Sequence, residues 1–211
     1  MLSRQQFALL AAALLGYVVW RDWQRENEPG AVEPDFIDQA QNTLGDIADG
    51  VLFDTQDIDM SQASSNTSAF LQMIRVAEGT DGPNGYRMLF GGSTFSDYSD
   101  HPRQYIKAMS NGQPITSSAA GAYQFLAKTW DSVRAKLGLP DFSPASQDAG
   151  AVELIRQAGA LGDVQAGRFA TAVRKVRKIW ASLPGAGYGQ PERELSTLQA
   201  AYVAAGGVVN G

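Results

Sequence analysis

The sequence predicts a mainly α-helical domain with one small β-hairpin. Apolar residues recur at helical spacing over most of the chain from residue 66 onward, and Gly or Pro follows each of these stripes. A tight reversal at Gly91-Gly92 separates two short runs that can pair as a hairpin. With 211 residues, 44% of them apolar and 18% charged, the chain can form one domain with a buried core and have accessory segments.

The first segment is residues 1–23, in which residues 5–20 carry no charge and are flanked by Arg4 and Arg21. Sixteen helical residues would span about 24 Å, which is short of the ~20 residues that cross a bilayer comfortably. We favour an N-terminal hydrophobic helix that anchors the chain through residues 5–20, over a cleaved signal peptide or a helix that binds a partner. The anchor predicts a single-pass protein of the bacterial inner membrane with its remaining residues in the periplasm.

Residues 24–65 are predicted to be an acidic tether. They contain ten Asp or Glu residues and one Arg, a net charge of −9, whereas residues 66–211 have 14 Lys or Arg and 11 Asp or Glu. We expect a short acidic helix or a loosely ordered segment over 36–53, and a flexible joint over 61–68. The domain itself is assigned to residues 66–211, and its mildly basic charge suits an anionic polymer.

A helix that ends at Glu78 is the first element of the domain. Apolar residues at helical spacing precede it: Phe70, Met73, Ile74 and Ala77. Thr67 or Ser68 can cap its start, and Gly79 suits the position just past its end. The helix dipole and partial burial would both raise the pKa of Glu78, and a carboxyl that stays protonated near neutral pH can act as a general acid. The alternative is an ordinary solvent-exposed glutamate at a helix end.

The later elements follow from local patterns. The hairpin is predicted over residues 86–90 and 93–98. Ser143 followed by Pro144 is typical of a helix N-cap and first turn. Apolar stripes and stop signals predict four further helices, over residues 122–137, 144–158, 169–183 and 191–206. The chain has no cysteine and one histidine, His101, which excludes a thiol nucleophile, Cys-ligated zinc and a multi-His metal site.

Several motifs together carry a family resemblance. They are Glu78-Gly79-Thr80-Asp81, Gly91-Gly92, residues 95–103 (FSDYSDHPR), 121–124 (GAYQ), 137–139 (LGL), 141–144 (DFSP), 146–149 (SQDA) and 179–190 (IWASLPGAGYGQ). These motifs resemble the lambda-phage type of endolysin, a lysozyme-like lytic transglycosylase, over about residues 69–207. The resemblance implies an α+β lysozyme-like fold in which the hairpin flanks a catalytic cleft.

The resemblance also implies an activity. A phage or prophage endolysin of this type cleaves the β-1,4 bond between N-acetylmuramic acid and N-acetylglucosamine during host lysis and forms a 1,6-anhydro sugar. Glu78 would be the single catalytic residue, and neither a cofactor nor a metal would be needed. The expected partners are peptidoglycan glycan strands and the membrane, with no nucleic acid; virion or lysis-protein partners stay open.

Substrate-binding roles are implied for five residues: Thr80, Tyr123, Gln124, Tyr188 and Gln190. For Tyr123, Gln124 and Tyr188 the alternative is a packing role, and His101 is expected to be structural. The chain departs from the family pattern in a shorter loop over 81–86 and in Arg87, which puts contacts at that edge of the cleft in doubt.

Two other functions remain open from the sequence. One is a hydrolytic lysozyme that cleaves the same bond with water, although Arg87 stands where the spacing of such an enzyme calls for an aspartate. The other is a virion-associated protein that penetrates or binds the wall during infection.

Overall fold

The computed structural model describes residues 60–110, 113–180, 182–186 and 192–210. The predicted anchor and most of the predicted tether lie outside these ranges. Within them, no helix is both long enough and apolar enough to span a bilayer. The architecture is mainly helical with one two-stranded antiparallel sheet, which confirms the predicted fold class.

Helix α1 runs over Met60–Glu78 and buries the apolar face that the sequence predicts. It ends where expected, with Gly79 at a φ of 71°. Its start differs from the prediction, because residues 61–68 are helical rather than a flexible joint. The hydroxyl of Thr67 donates to the carbonyl oxygen of Ala63 at 2.8 Å, so Thr67 lies inside the helix and is not its cap. The predicted domain boundary at residue 66 therefore falls within α1, and the division into three segments stays a prediction.

Asn66 explains why the helix extends to its earlier start. Its side chain is buried, donates to the carbonyl oxygen of Gln165 at 2.9 Å and accepts from the backbone N–H of Val208 at 2.9 Å. The first turns of α1 are thus held against two later parts of the chain. A polar run that looks like a linker by composition is ordered here by tertiary contacts.

The β-hairpin lies later in the chain than predicted. Strands β1, Ile106–Ser110, and β2, Gln113–Ser117, pair with Ile106 opposite Ser117. The prediction for residues 86–98 was wrong, because this segment forms two short 3₁₀ turns, Gly85–Arg87 and Phe90–Gly92. The chain does reverse there, but only the Met88–Thr94 pair forms a bridge between its two arms. The backbone N–H of Phe90 bonds to the carbonyl oxygen of Ala119 instead, at 2.9 Å.

Among the residues that the structure describes, five further helices follow the hairpin: α2, Ala127–Leu137; α3, Pro144–Gln157; α4, Leu161–Gln165; α5, Phe169–Val176; and α6, Leu195–Ala204. Ser143 caps α3 as predicted by accepting from the N–H of Ser146. Helix α2 starts later than expected because Gly121 and Gln124, with φ values of 79° and 48°, form a turn. Helix α4 was not predicted, α5 is shorter than predicted, and the expected opening of the last helix at Pro191 lies outside the described residues.

Aromatic side chains form the core that holds α1 in place. The Phe70 ring of α1 packs edge-on against Phe169 of α5 at 6.2 Å and against Tyr202 of α6 at 6.4 Å. A second group, comprising Phe125, Trp130 and Phe142, packs under the 121–125 turn. These contacts fix the end of α1, which carries Glu78, relative to that turn.

Candidate active site

Glu78 is the last residue of α1, and its side chain is almost completely buried, with 3% exposed. The hydroxyl of Ser182 donates to its Oε1 atom at 2.6 Å, and Ser182 is itself buried. The backbone turns sharply after Glu78, since Gly79 is left-handed and the N–H of Thr80 bonds back to the carbonyl oxygen of Arg75 at 2.8 Å. This turn ends the helix and fixes the orientation of the glutamate.

Burial raises the pKa of Glu78 from 4.5 to about 7. The hydrogen bond from Ser182 and the positive charge of Arg193 act in the opposite direction and lower it. The sequence prediction of a raised pKa relied on the helix dipole with partial burial, whereas burial is the main cause in the structure. A carboxyl group with a pKa near 7 has both protonation states available at neutral pH, as a general acid and base needs.

Thr80 is completely buried two residues after Glu78. Its hydroxyl donates to the carbonyl oxygen of Ala122 at 2.5 Å and thereby ties the end of α1 to the 121–125 turn. With no exposed surface and an occupied hydroxyl, this placement favours a structural role over the predicted contact with substrate.

Tyr123 lies on the same turn, and its hydroxyl donates to Oδ1 of Asp148 at 2.6 Å. Tyr86 donates to the same oxygen at 2.8 Å, and the two tyrosine rings meet edge-on at 6.5 Å. The backbone oxygen of Tyr123 accepts from Nε1 of Trp180 at 3.2 Å. Tyr123 is buried, so it connects the turn to α3 and to the segment that carries Ser182.

Gln124 is partly exposed and has a left-handed backbone with a φ of 48°. Its side-chain amide donates to the carbonyl oxygen of Gly121 at 2.9 Å, which closes the turn. A left-handed non-glycine residue is costly and is often found at functional sites, so Gln124 stays a candidate for substrate contact.

The predicted substrate-binding residues Tyr188 and Gln190 lie outside the described residues. The chain on either side of them is anchored close to Glu78, because the N–H of Arg193 bonds to the carbonyl oxygen of Ser182 at 3.1 Å. Their predicted roles stay predictions.

Nothing in the sequence singled out Ser182, Asp148 or Tyr86. Asp148 and Tyr86 line a cavity of about 220 Å³ together with Arg75 and Tyr123. Ser182 lies within the 179–190 motif, so the motif marked the segment but gave no reason to select its serine. A larger open groove of about 630 Å³ runs along residues 87–104, and Glu78 does not line it.

His101 is structural, as its sequence position beside Pro102 predicts. It is buried against the ring of Phe142, its Nε2 lies 2.8 Å from the carbonyl oxygen of Phe125, and its Nδ1 accepts from the N–H of Arg103 at 3.0 Å. Burial lowers the pKa of His101 to about 4, so the imidazole is neutral at pH 7 and Nε2 carries the proton. Across the described ranges, no three Asp, Glu or His side chains cluster as metal ligands would.

Comparison with known proteins agrees with this geometry. Residues 68–209 match the endolysin family. This chain belongs to the endolysin family. It is 44% identical over 156 residues to the endolysin of Escherichia phage lambda, a match that covers 71% of this chain and 97% of the relative. It is 45% identical over 155 residues to the endolysin of Escherichia phage P2, covering 68% of this chain and 94% of the relative.

Solved structures give the same result for the endolysin fold. Bacteriophage lambda lysozyme complexed with a chitohexasaccharide is 43% identical and superposes with a TM-score of 0.64 over 69% of this chain and 97% of the other. A second structure of lysozyme from bacteriophage lambda superposes with a TM-score of 0.63 and the same coverage. The lysozyme-like fold is confirmed, and the endolysin is a lysozyme-like, peptidoglycan-degrading enzyme of phage lysis.

The comparisons contradict the predicted location in the inner membrane. The aligned region accounts for 97% and 94% of the two relatives, so neither has room for a segment like residues 1–23 ahead of its enzyme domain. The expected membrane contact through residues 5–20 gains no support either, and these residues lie outside the described ranges. Nothing in the comparisons points to a virion component.

Proposed function

We propose that this endolysin is a lytic transglycosylase that cleaves the β-1,4 bond between N-acetylmuramic acid and N-acetylglucosamine. The observation that carries the proposal is the burial of Glu78 beside a neutral hydroxyl, that of Ser182. Among the described residues, the groups that shift its pKa are Ser182 and Arg193, and no second carboxylate is among them. Glycosidases that use water normally need a carboxylate pair, so one buried carboxyl favours an internal nucleophile.

The reaction needs Glu78 in both protonation states in turn. The protonated carboxyl donates its proton to the glycosidic oxygen as the bond from that oxygen to C1 of N-acetylmuramic acid breaks. The carboxylate that results then accepts the proton of the 6-hydroxyl group while O6 bonds to C1. The product is a 1,6-anhydro sugar, Glu78 is protonated again, and no water is consumed. A pKa of about 7 supports both transfers.

The substrate would be the glycan strand of peptidoglycan. The lambda relative is complexed with a chitohexasaccharide, which is likewise a chain of β-linked amino sugars, and this supports glycan binding here. We propose that Gln124, Tyr188 and Gln190 contact the strand. Thr80 and Tyr123 would instead hold the wall of the cleft, since both are buried and their hydroxyls are bound to the protein.

Product analysis tests this proposal. The full chain is incubated with purified peptidoglycan, and the released muropeptides are analysed by mass spectrometry and by an assay for new reducing ends. We expect anhydro-muropeptides that are lighter by one water than the products of hydrolysis, with no new reducing ends. Products with reducing ends would instead identify a hydrolytic lysozyme and contradict the proposal.

A further inference from the structure

We infer that Ser182 is a positioning residue that determines which carboxyl oxygen of Glu78 carries the catalytic proton. The inference rests on the proposed function, in which Glu78 is the general acid. Its basis is one contact between residues 104 positions apart, the 2.6 Å hydrogen bond from the Ser182 hydroxyl to Oε1. Both side chains are buried, so water does not compete effectively for this hydrogen bond.

The direction of that hydrogen bond distinguishes the two oxygens of Glu78. The hydroxyl of Ser182 donates to Oε1 of the ionised carboxyl group. On this inference the hydroxyl keeps its donor role in the neutral form, so that the proton of the neutral carboxyl lies on Oε2. In the described ranges, no residue forms a hydrogen bond with Oε2. Oε2 is therefore the oxygen that is left to donate to the glycosidic oxygen and to accept from the 6-hydroxyl. The bond from Ser182 can persist through both transfers.

The fold holds Ser182 in a fixed place. The carbonyl oxygen of Ser182 accepts from the N–H of Arg193 at 3.1 Å, which closes the segment that follows. Two residues earlier, Trp180 is buried and its indole N–H is bound to Tyr123 at 3.2 Å. The backbone that carries the hydroxyl is thus held at Ser182 itself and two residues before it, as it must be if the hydroxyl is to orient another side chain.

The chemistry of a neutral donor fits this role. A hydroxyl stabilises the carboxylate modestly, whereas a cation in direct contact would hold Glu78 ionised and remove its proton. Arg193 is the charged group in the described ranges that acts on Glu78, and it does so without forming an ion pair. Ser182 therefore orients the carboxyl group and leaves its proton available.

The test compares Ser182→Ala with Ser146→Ala in the full chain. Ser146 is a matched control because it is also buried and also donates to a carboxylate, Oδ1 of Asp141 at 2.8 Å, outside the site. The pH dependence of kcat/KM is measured on soluble glycan strands. Loss of a hydrogen bond to the carboxylate should raise the pKa of Glu78, and the alkaline limb of the Ser182→Ala profile should therefore move to higher pH by about half to one unit. We also expect kcat to fall roughly tenfold with little change in KM, because the carboxyl is no longer oriented.

A purely structural role for Ser182 gives a different result. The alkaline limb would then stay where it is in the wild type, and activity would fall only with the folded fraction; this outcome overturns the inference. If Ser182→Ala does not fold, Ser182→Cys replaces the strong donor with a weak one of similar size. An alkaline limb that stays at the wild-type pH in that variant also overturns the inference. Ser146→Ala should leave the limb in place.

Failure of the proposed function would appear elsewhere, in the products of the wild type. Reducing-end products contradict the transglycosylase reaction, whereas the inference fails on the pH profile of Ser182→Ala while wild-type products stay anhydro sugars. The two results can therefore be told apart in one set of preparations.

Discussion

Glu78 and Glu153 have nearly the same exposure, 3% and 4%, and yet they differ in every other respect. Among the described residues, the neutral hydroxyl of Ser182 is the group that donates a hydrogen bond to Glu78. Glu153 contacts Arg156 through two bonds of 2.8 Å and Lys136 at 2.9 Å. Burial raises the pKa of Glu78 to about 7, whereas the hydrogen bonds from Arg156 lower the pKa of Glu153 to about 2.

The difference between the two residues shows that low exposure alone does not raise the pKa of a glutamate. Lys136 is in α2 and Glu153 in α3, so the ion pair joins two helices, and the half-exposed cations keep their contact with water. In the part of the chain that the structure describes, no cation forms an ion pair with Glu78, so its charged form is poorly stabilised. What distinguishes Glu78 from Glu153, within the described ranges, is the lack of a charged partner in direct contact.

The largest difference between the two glutamates should be in activity. Glu78→Gln should lower peptidoglycan cleavage by at least about 10³-fold, because the amide cannot transfer the proton. Glu153→Gln should retain activity in proportion to its folded fraction. Turnover is measured on purified peptidoglycan, with the exposed Glu194→Gln as a neutral control. Substantial turnover by folded Glu78→Gln would exclude Glu78 as the catalytic acid.

Removing the cations that contact Glu153 should raise the pKa of Glu153, as the lack of a cation in contact, within the described ranges, does at Glu78. Lys136→Met together with Arg156→Met removes both of these cations from the Glu153 carboxylate and should lower the free energy of unfolding at pH 7. Urea unfolding measures the change. Lys107→Met with Arg174→Met removes two exposed cations as a control and should have little effect. Equal losses in both pairs would show that the contacts of Glu153 are unimportant.

The pH dependence of stability should differ in sign between the two sites. The raised pKa of Glu78 stabilises the fold below about pH 4.5, and this contribution is lost as the pH rises through 7. The lowered pKa of Glu153 stabilises the fold above about pH 4.5, and that contribution is lost as the pH falls through 2.

We therefore expect the wild type to lose about 2 kcal/mol relative to Glu78→Gln between pH 5 and pH 7. The difference between the two proteins is the quantity to measure by urea unfolding, because the low pKa of His101 gives both proteins a slope of the opposite sign between about pH 4 and 6.5. Parallel stability curves for the two proteins would contradict a raised pKa at Glu78.

The smallest expected effect concerns Arg193. Its positive charge lowers the pKa of Glu78 without direct contact, so Arg193→Gln should move the alkaline limb of kcat/KM upward by only a few tenths of a pH unit. The exposed Arg174→Gln is the control. A downward shift would show that Arg193 acts on the substrate rather than on Glu78.

Local patterns predicted the features that depend on local interactions. The end of α1 at Glu78 and the Ser143 cap of α3 both follow from residues within a few positions of one another. The start of α1 could not be predicted in this way, because Asn66 is ordered by Gln165 and Val208. The role of Ser182 could not be predicted for the same reason, because its contact with Glu78 joins residues 104 positions apart.

The hairpin shows how a correct local signal can be assigned to the wrong structure. Gly91 does adopt the left-handed backbone expected of a reversal, with a φ of 81°. The two arms beside it bond to each other only next to the turn, through the Met88–Thr94 bridge, and the first arm then pairs with residues 119–120 through Leu89 and Phe90. The actual strands include Pro114 and lack a strong alternation of apolar and polar residues, so their sequence is a weak strand signal.

The contacts of α1 with Tyr202 and Val208 have a consequence for synthesis on the ribosome. Asn66 and Phe70 of α1 are held by Val208 and Tyr202, which are translated more than 130 residues later. At about 5–20 residues per second, α1 waits on the order of ten seconds for these partners. The nascent chain therefore has no braced α1 until residue 208 has been translated, so the cell that makes it meets the assembled Glu78 site only after that point.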